Sequence, residues 1–231
     1  MGLLPGCLWV SAAKSSTPLK REHTLNTEPI TITPDFVWPK PDDNGNRTLA
    51  NGAVIGSSAV IGPDARIGRG ATIGPDAVIE QGAVIRQGAV IRQGAVVGQD
   101  ATIGPDAVIG PDAVIEQGAG IGPDARIGPD ARIGPDARIG QHAVIGQDAR
   151  IGRGARVGPN ARWIACVGFA DGYYKDLCAV GDVAYIGAGC RWFTLGEALR
   201  HWENHPEDRR ATMALMEGAK ALATLNNLKW E

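Results

Sequence analysis

A histidine and a regular series of carboxylates are the residues of this 231-residue chain best suited to chemistry. His142 lies in Gly140-Gln141-His142-Ala143, at a place that Asp or Gly holds in neighbouring six-residue units, Asp124 among them. An imidazole titrates near neutrality, and a carboxylate beside one ring nitrogen leaves the other to accept a proton, so the pair suits general-base work. Asp112, Asp130 and Asp148 hold the same position in other units. Such an oxygen-rich series can hold a hard cation, but solvated carboxylates screened by nearby arginines are the plainer reading, and no metal is expected. His201, Glu203 and His205 approach metal-ligand spacing, yet Pro206 interrupts the helix that would align them. Cys7, Cys166, Cys178 and Cys190 form no C-x-x-C pair, so reduced thiols are expected. Cys166 and Cys178 would face each other only across a three-residue hairpin loop; buried thiols are the expectation for both.

The elements that must position these groups follow from a repeat. Alanine recurs every six residues from Ala53 to Ala161 without insertion or deletion, and an aliphatic residue follows two places later, from Ile55 to Val157. Within Ala-x-Ile the side chains alternate, sending Ala and Ile to one face and the middle residue to the other. Gly-Pro-Asp or Glu-Gln-Gly then bends the backbone cheaply. A strand of about three residues cannot bury its face alone, so the units must stack, Ile over Ile and Ala over Ala.

Residues 52–162 resemble the hexapeptide-repeat acyltransferase superfamily, whose pattern is an aliphatic residue, often a glycine, two variable residues and a small one. The resemblance implies a left-handed parallel β-helix with three hexapeptides in each eighteen-residue coil, hence about six coils and a prism about 30 Å long. It also implies a trimer, the state of many members. On that coil length His142 stacks between Asp124 and Asn160, and the general-base histidine of these acyltransferases would be His142, oriented by Asp124. One histidine in the repeats excludes the three-histidine zinc site of carbonic anhydrases with this fold. Members of the superfamily usually carry an excursion loop or a distinct acyl-donor region as well, and the run here has no loop, so the resemblance speaks to fold more than to activity.

Outward positions change along the prism. Early units carry Val54, Val60, Val78, Val84, Val90, Val96, Val108 and Val114, with Arg66, Thr72 and Thr102 among them; from Arg126 onward the position is mostly Arg. Exposed valines on flat β faces suggest an oligomer interface, although strand propensity alone also selects Val. The later arginines are expected to pair with corner carboxylates Asp124, Asp130, Asp136 and Asp148.

Three segments are expected: an extended N-terminal arm or cap over 1–51, the β-helix over 52–162, and a C-terminal β-hairpin with two helices over 163–231. Residues 28–41 read as extended chain broken by prolines, able either to cover the open first coil or to dock on a partner. Asp171-Gly172 signals a hairpin turn, Val183–Ile186 a further strand, Thr194–Glu197 a capping box that opens a helix, and Pro206 the start of a second helix. The stretches 171–178, 188–195 and 197–202 resemble C-terminal modules of uncharacterised phage and prophage proteins.

Aromatics are only 5% of the chain against 32 glycines, so the core must be aliphatic. A net charge of -2 provides no basic field for nucleic acid or anionic lipid. No apolar run reaches the ~18 residues of a membrane span, and the opening segment, with Pro5 in its apolar stretch and no basic start, does not read as a secretory signal; Leu4-Pro5-Gly6-Cys7 is only a faint lipoprotein box. The expectation is therefore a mainly β, non-enzymatic homotrimeric prism without a cofactor, cytoplasmic or virion-associated, that displays its terminal modules and meets a protein partner through one of them. The alternative is an acyl-CoA-dependent acyltransferase using His142.

Overall fold

The structure, a computed structural model, describes residues 28–170, 173–188, 191–203 and 210–230. The opening segment with Leu4–Cys7, together with Cys190, His205 and Pro206, lies outside them. Each Ala-x-Ile unit forms a two-residue strand, from β3 (Val54–Ile55) to β20 (Arg156–Val157), one every six residues. From β3 to β18 each strand pairs in parallel with the strand three units on, as Val78 does with Val96 and Val96 with Val114. One coil therefore takes eighteen residues and has three flat faces, and about six coils make the β-helix.

Alternation within each unit buries one side and exposes the other. Ile73, Ile91, Ile109 and Ile127 stand in register down one face, all buried, and the alanines from Ala65 to Ala149 are fully enclosed. Each such Ile contributes roughly 1.5–3 kcal/mol through apolar burial. Backbone groups are satisfied by the neighbouring coil, the Val96 N–H donating to Ala113 O at 2.9 Å.

At the corners the third residue takes the left-handed conformation: φ is 58° at Asp76, 55° at Asp124 and 56° at His142. Short polar side chains tolerate that region far better than β-branched ones. The first corner residue is often Gly for a different reason. A Cβ on Gly140 would lie 2.5 Å from the backbone N of Pro159 in the next coil, so at this corner the close stacking depends on the missing side chain.

Both ends are closed by antiparallel pairing. β1 (Ile30–Thr31) lies against β5 (Arg66–Ile67), and β2 (Arg47–Thr48) against β3. Residues 28–51 thus cover two of the three faces at the first coil, the covering role among the two expected for this segment. Buried Asn51 completes the seal: its Nδ2 donates to Ile67 O at 2.8 Å and its Oδ1 accepts from the Ala53 N–H at 3.1 Å. At the other end β21 (Arg162–Ala170) continues one face and then turns antiparallel to β22 (Tyr173–Val180), which leads to β23 (Val183–Ala188) and β24 (Arg191–Thr194). Ala170 opposes Tyr173, and the expected turn residues Asp171 and Gly172 lie outside the described residues. Helices α1 (Leu195–Glu203) and α2 (Arg210–Leu225) pack on this meander around Leu177, Ile186, Leu199, Trp202 and Met216. The capping box forms as expected, with the Glu197 N–H donating to Thr194 Oγ1 at 3.2 Å and the Thr194 N–H to Glu197 Oε2 at 2.9 Å.

Two expectations about the surface change. Among the described residues no arginine of the coils comes within 4.0 Å of a corner carboxylate. The strands hold the arginines on the flat faces while the left-handed corners send the carboxylates off the edges. The eight valines also divide among the three faces. One face carries Val60, Val78, Val96 and Val114 in an unbroken column, a second carries Val54, Val90 and Val108 with Thr72 between, and the third carries only Val84. Val60 is exposed, whereas the other seven are half-buried by their own neighbours.

Candidate active site at a coil corner

His142 sits where the chain passes from β17 (Arg138–Ile139) to β18 (Val144–Ile145). Its N–H donates to Pro123 O at 2.9 Å, which locks this corner onto the one eighteen residues earlier. That corner carries Asp124, and both residues hold the left-handed conformation that projects their side chains from the prism edge. Stacking alone brings the two together: His142 Nδ1 stands 3.8 Å from Asp124 Oδ2. Both side chains are about half exposed, at 54% and 51%, which leaves His142 Nε2 open to a reactant.

The face leading to this corner has an opening that the sequence reading did not single out. Its outward column runs Arg66, Val84, Thr102, Gly120, Arg138 and Arg156, and Gly120 is the one unit of the tract whose middle residue lacks a side chain. The Arg138 guanidinium folds into that space, with Nη1 2.7 Å from where a Gly120 Cβ would lie and donating to Gly118 O at 3.3 Å. A cation is thereby held on the face beside the His142 corner. The signal was present in the sequence as the single Gly in a Val, Thr or Arg column.

Among the described residues the other candidates do not assemble, and His205 lies outside them. Among the described residues no group of three His, Cys, Asp or Glu could hold a metal ion. His201 stacks on Phe193 with ring centroids 5.5 Å apart and meets Trp202 edge-on at 5.3 Å, as part of the helix packing. Cys166 and Cys178 are free thiols: Cys178 opposes Trp163 and Cys166 opposes Asp176. Asp176 is a buried carboxylate missed by sequence reasoning. Burial pushes its pKa up to about 7, against the lowering effect of the hydrogen bond it accepts from Trp163 Nε1 at 3.3 Å. Burial first, and then the Asp176 charge, raises both thiols.

Residues 48–81, 76–111, 112–147 and 130–162 match the family described as bacterial transferase hexapeptide (six repeats). The repeat tract belongs to the hexapeptide-repeat superfamily. Solved structures similar to this chain include PerB from Caulobacter crescentus in complex with CoA and GDP-perosamine, with 28% identity, a TM-score of 0.47, and coverage of 49% of this chain and 54% of that one. The acetyltransferase domain of PglB from Neisseria gonorrhoeae in complex with acetyl coenzyme A shows 27% identity and a TM-score of 0.41, covering 47% and 55%. A hexapeptide transferase family protein from Anaplasma phagocytophilum shows 21% identity and a TM-score of 0.35, covering 75% and 92%. This chain thus spans about half the length of the first two. A search of curated proteins finds no match.

The hexapeptide-repeat match overturns the expectation of a non-enzymatic structural prism of phage origin, because the matched family is one of transferases. The absence of an excursion loop had weighed against activity, yet a corner His and the carboxylate one coil away need only the stacking of the coils to meet. The match ends at residue 162 and lends the phage resemblance of the C-terminal module no support. Among the described residues no helix is long and apolar enough to cross a membrane.

Proposed function

We propose that the protein is an acyl-CoA-dependent acyltransferase of the hexapeptide-repeat superfamily, with His142 as general base and Asp124 as the residue that positions it. The observation that carries this reading is the His142 Nδ1 to Asp124 Oδ2 approach of 3.8 Å at an exposed corner of a tract that matches transferases. In the reaction, His142 Nε2 takes the proton from an acceptor amine or hydroxyl as that group's lone pair attacks the thioester carbonyl carbon. The C–S bond then breaks, the acyl group stays on the acceptor, and the CoA thiolate leaves with the proton returned by the imidazolium. Asp124 holds the ring and stabilises the imidazolium while it carries the extra proton.

The test is thiol release from acetyl-CoA in the presence of a panel of amine and hydroxyl acceptors. His142→Ala is expected to lower turnover by about a hundredfold or more, while Asp124→Asn, a change in a positioning group, lowers it less. If the unaltered protein neither binds acetyl-CoA saturably nor releases thiol, the reading fails.

The same reading includes a homotrimer, since hexapeptide-repeat proteins commonly form trimers, and places the acyl donor in a groove between prisms. The valine column Val60, Val78, Val96 and Val114 is the most continuous apolar face and the proposed contact, with the valines of the neighbouring face beside it. Light scattering should find a trimer that Val78→Asp with Val96→Asp dissociates; a monomeric parent protein would remove the shared groove. The segmentation into an arm over 1–51, a β-helix over 52–162 and a terminal module over 163–231 leaves either end free to meet a partner.

A further inference from the structure

We propose that a surface cavity at the N-terminal end of the prism binds the phosphate group of a small phosphorylated ligand. The cavity has a volume of about 410 Å³, and three of its lining residues are Arg66, Arg69 and Arg86. The backbone brings these side chains together. Arg66 stands on β5, Arg69 in the corner that follows, and Arg86 in the corresponding corner one coil on. Gly68, between the first two, is tight enough against the next coil that a Cβ there would lie 2.5 Å from Gln87 N, so the corners bearing Arg69 and Arg86 lie one on the other. Pro29, held by the antiparallel pairing of β1 with β5, contributes to the wall, and Val84 gives an apolar surface for the rest of a ligand.

Charge points to the class of ligand. No carboxylate lines the cavity, and none of the three guanidinium groups has a carboxylate within 4.0 Å among the described residues. Asp106, at the following corner, lies over Gly88 and outside the lining. Like charges gathered at one cavity repel, and a multiply charged phosphate relieves that repulsion while using the guanidinium forks in paired hydrogen bonds. The cavity also shares its edge with the candidate active site: Gln87 occupies the corner position of Gln141, three coils and about 14 Å from the His142 corner at ~4.8 Å per coil. This site goes beyond the acyltransferase reading and does not depend on it.

The experiment is a calorimetric titration of the full chain with inorganic pyrophosphate at low and physiological salt. Saturable binding at one site per protomer is expected, weakened by about tenfold or more in Arg69→Gln with Arg86→Gln and changed less than about twofold in the control Arg132→Gln with Arg150→Gln, whose positions lie on another face. His142→Ala leaves this binding intact, so loss of acyl transfer and loss of pyrophosphate binding are separately visible. In the unaltered protein, amide resonances of residues 68–70 and 86–88 shift on titration, which keeps the test decisive should a variant fold poorly. Absence of saturable binding below about 10 mM pyrophosphate, or equal weakening by the control pair, overturns the proposal.

Discussion

The repeat tract and the C-terminal module solve the problem of burial in opposite ways. In the tract every coil meets a near copy of itself, so the buried positions are Ala and Ile, with Val97 and Val157 among them, from end to end and charges stay on faces and corners. The module reverses chain direction at each strand and closes with two helices. Its interior is heterogeneous, and it encloses Lys175, Asp176 and Thr212. Lys175 is provided for, its Nζ donating to Ala170 O at 2.8 Å. Asp176 accepts a hydrogen bond from the indole N–H of Trp163, yet its burial leaves it a poor place for a negative charge. Translation along an axis lets a surface charge remain a surface charge; antiparallel closure does not.

The largest expected effect breaks this contrast at Asp176. The unfolded carboxyl ionises near pH 4 while the folded one holds its proton to about 7. Stability from this group is therefore full below about pH 4, falls as pH rises, and is lost above the folded value, a change of about 4 kcal/mol. Asp176→Asn should remove that dependence, and denaturant melts of parent and variant should diverge from acid toward pH 8. Parallel curves would show that the carboxylate finds compensation in the folded protein.

Next in size is the tract's own core. Ile109→Ala in a middle coil is expected to cost about 3 kcal/mol, through lost burial and the cavity left behind. Urea unfolding would check this, and a loss under about 1 kcal/mol would mean that neighbouring coils collapse into the space.

Two glycines then sharpen the difference between corner and face. Gly140→Ala drives a Cβ into the backbone of Pro159 and should cost about 2 kcal/mol by overpacking. Gly120→Ala meets only the mobile end of Arg138 and should change stability by less than about 0.5 kcal/mol. Equal melting temperatures for the two variants would contradict the stacking argument. Between these, Thr194→Ala removes the side-chain half of the capping box of α1 and should cost about 1 kcal/mol, read from the same melts.

Much of the fold was legible from spacing. The period of six, unbroken from Ala53 to Ala161, dictates short strands, buried Ile and bent corners, because no other arrangement buries an aliphatic every sixth residue. The proximity of His142 and Asp124 follows once a coil of eighteen residues is granted. Pairing of arginine with corner aspartate was not readable in this way: sequence neighbours two apart point to a face and to an edge, and only the left-handed φ of the corners shows how far they part.

By itself the sequence determined the repeat, the residue types that fill each layer and the capping box. All of these rest on local backbone preference or on periodicity, which act over a few residues. Tertiary structure decided which valines share a face, that Arg138 fills the gap at Gly120, that Arg66, Arg69 and Arg86 meet at one cavity, and that Asp176 is buried. Each of those depends on contacts between residues well separated along the chain, where direction and distance are set by the packing of whole coils and strands.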